Sequence, residues 1–191
     1  MKIATTIEDF GRYIQDDSEK IRAYEGTGFC HFDYSFTWIR GNKPNVGDEW
    51  FEIVKSAGRE AEKLGFDFVQ AHAPDYDFFH STPENHEACI KILGNVFESC
   101  NYLGIKTLVV HTAATPDLRY PDDREEYFVK NKKFYEELIP FAEKYNVNIL
   151  AENSAEQNAV GKYFFLTAQE TRDFAEYADE CAVLAAAVAE Y

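Results

Sequence analysis

LGIKTLVVHTAA, residues 103–114, is the stretch that decides the fold. Leu103 closes a helix-period segment and Gly104 stands where that helix should stop. Thr107 to Val110 is then a short run, rich in β-branched residues and nearly continuous in apolar character. A strand with no solvent-facing row is buried on both sides, as happens in parallel sheets covered by helices. The run ends at His111 and Thr112, and the carboxyl ends of such strands are where reactive groups collect.

The same cadence recurs outward from this stretch. Short apolar runs occur at KIATT (2–6), FCHFDYSF (29–36), FDFVQAHA (66–73) and NILAEN (148–153). Between them lie helical faces: Trp50, Ile53, Val54, Ala57, Ala61 and Leu64; then Cys89, Ile92, Leu93, Val96, Cys100 and Leu103; then Phe134, Leu138, Phe141 and Tyr145. Thr82-Pro83 marks a helix start, and Gly65, like Gly104, marks a helix stop. With strand ends at Thr6, Phe36, Ala73, Thr112 and Glu152, the spacings are 30, 37, 39 and 40 residues, the length of a strand-helix unit. Alternation of this kind predicts an α/β chain with a parallel sheet of about five strands, right-handed crossovers and outer helices.

After Glu152 comes a polar loop, and Thr167-Ala168-Gln169-Glu170 then matches a capping box. Phe174, Tyr177, Ala178, Cys181, Leu184, Ala185 and Val188 keep one helical face, which predicts a long C-terminal helix ending in AVLAAAV and no sixth strand. A closed (β/α)8 barrel takes about 250 residues. The 191 residues present have room for five or six units, so residues 1–191 read as a single, incomplete barrel-like domain.

Composition narrows the function classes. With 46% apolar and 16% aromatic residues and only 10 Gly and 6 Pro, the chain can bury a large core. Its 19 basic against 34 acidic residues give a net charge of −15, which opposes a phosphate-neutralising nucleic-acid surface. Cys30, Cys89, Cys100 and Cys181 form no CxxC pair, MKIATTIEDF lacks the features of a secretory leader, and the longest apolar run, Ala182 to Ala189, is too short to span a bilayer. A cytoplasmic protein with reduced thiols, no membrane partner and no nucleic-acid partner is the expectation. There is no GxGxxG, no GxxxxGK[ST] and no GxSxG, so phosphate cradles and a nucleophile elbow are unsupported.

Three strand ends carry metal-competent side chains: His72 in VQAHAPD, His111 in LVVHTAA and Glu152 in ILAENSA. Two imidazoles and a carboxylate suit zinc, iron or manganese with open positions left over. Each also has a plainer reading, since a lone strand-end His can be a hydrogen-bonded packing residue and Glu152 a solvated one. In the second strand His31, Asp33 and Ser35 alternate with Phe32, Tyr34 and Phe36, so one row faces inward and the other outward. Asp33 is the pocket candidate, with a cap or loop tie as its alternative. Asp75 and Asp77 read as solvated loop residues, and Asp122, Asp123, Glu125 and Glu126 as the acidic start of a helix.

MKIATT, GFCHFDYSF, LGFDFVQAHAP, LGIKTLVVHTAA, YEELIPFAEKYNVNILAEN and FFLTAQE, in that order, resemble the sugar phosphate isomerase/epimerase superfamily. These are the xylose-isomerase-like TIM barrels, to which endonuclease IV also belongs. The resemblance implies a divalent cation, most often manganese or zinc, holding neighbouring sugar oxygens while a glutamate moves a proton between adjacent carbons. It makes Glu152 a metal ligand and the catalytic proton-transfer group, and His72 and His111 ligands of the metal or contacts of a small sugar or sugar phosphate. Asp33 would then hold a sugar hydroxyl. Later-strand ligands of the family have no counterpart here, which leaves two alternatives open: an endonuclease-IV-like metal phosphodiesterase, and a non-catalytic sugar-binding or partner-binding subunit. An incomplete barrel also exposes sheet edges, so a homo-oligomer covering the open edge is expected.

Overall fold

The computed structural model describes residues 3–36, 48–74, 82–112, 122–152, 168–178 and 183–186. The elements run β1 (Thr5–Thr6), a 3-10 turn (Ile7–Phe10), α1 (Asp17–Arg22), β2 (His31–Ser35), α2 (Asp48–Leu64), β3 (Asp67–His72), α3 (Pro83–Tyr102), β4 (Thr107–His111), α4 (Arg124–Tyr145), β5 (Asn148–Glu152), α5 (Ala168–Ala178) and β6 (Val183–Ala186). All neighbouring strands are parallel and follow chain order from β1 to β6. This is the α/β, partial TIM-barrel-like sheet that the sequence cadence implies.

One local device is used three times to turn a helix into the next strand. Gly65, Gly104 and Asn146 adopt φ of 72°, 75° and 53°, the left-handed conformation that Gly and Asn tolerate best. The next residue in each case donates its N–H five residues back: Phe66 to Ala61, Ile105 to Cys100 and Val147 to Ala142, at 2.9, 2.8 and 3.0 Å. Those bonds satisfy carbonyls that a helix end would otherwise leave open, and they aim β3, β4 and β5 in the same direction.

The core lies between the outer face of the sheet and the helices. Phe32, Tyr34 and Phe36 of the second strand segment are fully buried there, with Phe36 meeting Trp50 of α2 at 5.6 Å between ring centroids. Leu108 and Val110 of β4 and Ile149 and Ala151 of β5 continue the layer, covered by Leu93, Val96 and Phe97 of α3 and by Phe134, Tyr135 and Leu138 of α4. The other row of β2, β3, β4 and β5 faces the barrel interior. No described helix is long and apolar enough to cross a membrane.

The C-terminal part corrects the sequence reading. The expected long helix ends at Ala178, and Val183–Ala186 is a strand paired with Ile149–Glu152, so the sheet has a sixth member. Ala and Leu at helical spacing favour a helix as isolated sequence. The open hydrogen-bonding edge of β5 outweighs that preference by capturing the apolar run as a parallel neighbour. Thr167, Cys181 and Val188 lie outside the described residues, as do Asp75 and Asp77.

Candidate metal centre

A one-residue irregularity in β3 aims this site. His31 pairs with Asp67 and Phe32 with Phe68, but Asp33 pairs with Gln70, so Val69 is the extra residue. Side chains alternate along a strand, and an inserted residue reverses the alternation beyond it. Asp67 contacts inward-facing His31, yet His72, five positions later, also contacts the inward row through Asp33. Without the bulge His72 would point at the helices. With it, Gln70 and His72 both face the interior.

Register then assembles the rest. Ser35 pairs with His72, His72 with Val109, and His111 with Glu152, which sets His72, His111 and Glu152 at the carboxyl ends of three consecutive strands. His111 Nε2 lies 3.1 Å from Glu152 Oε2, and His72 Nε2 lies 3.6 Å from the same oxygen. The two imidazoles meet edge to face with centroids 5.8 Å apart. All three side chains are half-buried, with 25 to 28% of each exposed. Asp33, behind them, places Oδ2 2.7 Å from His72 Nδ1 and accepts from Gln70 Nε2 at 2.6 Å.

Electrostatics bind this group tightly. Burial disfavours a charged His72, but the hydrogen bonds and charges of Asp33 and Glu152 outweigh it and push His72 up to about 9. Hydrogen bonds from His111 and then His72 overcome the burial of Glu152 and hold it down at about 2. A carboxylate shared by two imidazoles is a place where a cation can substitute for protons.

The donor set fits a divalent ion. One ligand atom from each of His72, His111 and Glu152 lies within 4.8 Å of the others. Donors about 2.0–2.2 Å from a tetrahedral zinc stand roughly 3.3–3.6 Å apart, so modest side-chain movement brings the trio to coordinating geometry. Two imidazoles and one carboxylate are also chemically suited to zinc or manganese, with positions left for water or substrate oxygens. Among the described residues this is the one such cluster.

His72, His111, Glu152 and Asp33, the four candidates that the sequence offers, thus fall in one place, and Gln70 joins them although its residue type alone did not mark it. Its signal is the period-two spacing to His72, which only the bulge turns inward. A concavity of about 850 Å³ lies elsewhere, between the starts of α4 and α5, and its described lining includes Asp122, Asp123, Glu125, Glu126 and Asp173 around Arg124. None of the four candidates lines it.

Comparison with known proteins places the fold. A family model described as a xylose isomerase-like TIM barrel matches residues 22–185. No curated protein matches the chain by sequence. Among solved structures, a putative xylose isomerase from Rhodospirillum rubrum superposes with a TM-score of 0.75 at 12% identity, over 98% of this chain and 65% of its own. The 3-keto-D-glucoside 4-epimerase YcjR of E. coli does so with 0.72 at 17%, over 98% and 68%. The IOLI protein, solved with a zinc atom, gives 0.68 at 14%, over 94% and 59%. At these identities the likeness is one of fold, and the chain spans 59 to 68% of the length of these three proteins. With the family match running from α1 into β6, the chain belongs to the xylose isomerase-like TIM barrel family.

Proposed function

We propose that the chain is a metal-dependent isomerase or epimerase of a small sugar or sugar phosphate. The observation that carries this reading is the convergence of His72, His111 and Glu152 on one point at the carboxyl rim of the sheet. His72 and His111 would hold a manganese or zinc ion through imidazole nitrogen, and Glu152 through a carboxylate oxygen. A divalent cation held there supplies a Lewis acid for neighbouring oxygens of a hydroxy-carbonyl sugar.

The chain's own groups do the remaining work. Glu152, the carboxylate of the trio, takes the role of accepting a proton from carbon and returning it. The bulge in β3 and the register of β4 with β5 hold the three side chains without loop rearrangement, so little ordering is left to do on binding.

Epimerases among the similar folds, including a D-allulose 3-epimerase from Methylomonas sp. and a D-psicose 3-epimerase structure with D-tagatose, support a sugar substrate. A net charge of −15 favours a small substrate over a nucleic-acid backbone. The test is exchange in D2O: the manganese- or zinc-loaded chain, incubated with a panel of ketoses, aldoses and their phosphates, should place deuterium on the carbon beside the carbonyl. Metal-loaded protein that catalyses no exchange on the whole panel would support the non-catalytic subunit instead.

A further inference from the structure

Asp33 is the most enclosed carboxylate of the inward row, with 8% of the residue exposed. Its Oδ2 meets two groups, His72 Nδ1 at 2.7 Å and Gln70 Nε2 at 2.6 Å. Its Oδ1 is buried and has no hydrogen-bond partner among the described residues. Desolvating a carboxylate is costly unless it is anchored, and one oxygen here takes both anchors. The other oxygen is sealed from solvent, so a sugar hydroxyl could reach it only after the surrounding wall moved.

The geometry at His72 follows from donor and acceptor rules. An ionised carboxylate only accepts, so the ring nitrogen facing Asp33 must carry the proton. When a cation takes the other nitrogen, the single remaining ring proton sits on Nδ1. Nε2 is the nitrogen 3.6 Å from Glu152 Oε2, on the side where the cation would lie. Gln70 sits opposite Asp33 in the sheet and holds the accepting oxygen from the neighbouring strand.

We infer that Asp33, held by Gln70, is a positioning residue that fixes the ring orientation and tautomer of His72, so that Nε2 and not Nδ1 binds the cation. Asp33 therefore acts through His72 and does not touch substrate. This role presupposes the cation site proposed for His72, His111 and Glu152. Carboxylates behind metal-bound imidazoles are worth about ten- to a hundredfold in metal affinity.

The experiment is zinc and manganese titration of the chelator-stripped chain, by calorimetry, for the unaltered protein, Asp33→Asn and Gln70→Leu. It is joined to 15N histidine spectra of the zinc-loaded proteins and to melting of the metal-free ones. The expected result is Nε2 ligation by His72 in the unaltered chain. Asp33→Asn should weaken binding about ten- to a hundredfold, and Gln70→Leu should weaken it by less, with metal-free melting retained in at least one of the two variants. Equal affinities in all three proteins would overturn the positioning role while leaving the cation site standing. So would spectra showing Nδ1 ligation by His72 in the unaltered chain. An unaltered chain that binds neither ion would overturn both the positioning role and the cation site.

Discussion

His111 and Glu152 are register partners on adjacent parallel strands, and their side chains meet at 3.1 Å on the inner face of the sheet. The contact is therefore fixed by the β4–β5 ladder and not by a loop. Because the two backbone positions are neighbours, exchanging the residues keeps the same donors at the same rim. His111→Glu alone sets two carboxylates together, and Glu152→His alone leaves three imidazoles without a carboxylate. Zinc titration of the double exchange should give tighter binding than the two single losses sum to, a coupling above about 1 kcal/mol. Losses that simply add would mean the two side chains do not share an ion.

Alkaline pH should loosen the N-terminal part of the fold. Lys20 is buried between Glu8 and Asp17, at 2.7 and 3.0 Å. Burial alone would lower its proton affinity, but those two carboxylates raise it above the ordinary 10.5. Tyr24 is pushed up to about 12 by burial and by Asp9, and Tyr34, which donates to Asp17, is raised well above its ordinary value, first by burial and then by Asp17. Each group holds its proton more tightly when folded than when unfolded. The stability it contributes is complete below its unfolded value, near 10 for the tyrosines and 10.5 for the lysine, and drains away as pH climbs through the higher folded value. Urea midpoints should hold steady to about pH 9.5 and fall steeply toward pH 12. A midpoint flat across that span would contradict the coupling of these protons to folding.

Gly94 lets α3 and α4 approach. A Cβ there would stand 2.6 Å from Cε1 of Phe141, whose ring stacks on Phe97 with centroids 6.3 Å apart. Gly94→Ala gains helix propensity but overpacks this contact, and the net effect should be a loss of about 1–3 kcal/mol by urea unfolding. Adding Phe141→Leu should return part of that loss. If Gly94→Ala alone raises stability, the close approach of the two helices is not limiting.

Among the described residues, β1 and β6 each have a strand neighbour on one side only. Unpaired edges and a partly exposed inner row are surfaces that stable proteins cover. Self-association of the 191-residue chain is the expected outcome, read by size-exclusion chromatography with light scattering. A monomer throughout the micromolar range would rule it out.

The parts of this molecule legible in the sequence are those in which local and tertiary preferences agree. Gly65 and Gly104 read as helix stops because no other residue takes their φ so readily, and Thr107 to Val110 read as a buried strand because both of its faces are apolar. His72, His111 and Glu152 stand out because strand ends are where an α/β sheet keeps its chemistry. Other features depend on partners distant in sequence. Val183 to Ala186 has the composition of a helix and becomes a strand only because β5 offers an edge. The extra residue at Val69 leaves no mark in FDFVQAHA, and the orientation of His72 and the part played by Gln70 both hang on it.

The central claim is that His72, His111 and Glu152 hold one divalent cation between them. Calorimetric titration of the metal-stripped chain with zinc and manganese, alongside His111→Ala and Glu152→Ala, tests it most directly. One ion per chain is expected for the unaltered protein, with binding reduced to background by either substitution while the metal-free proteins stay folded. No saturable binding, or binding untouched by both substitutions, would contradict it.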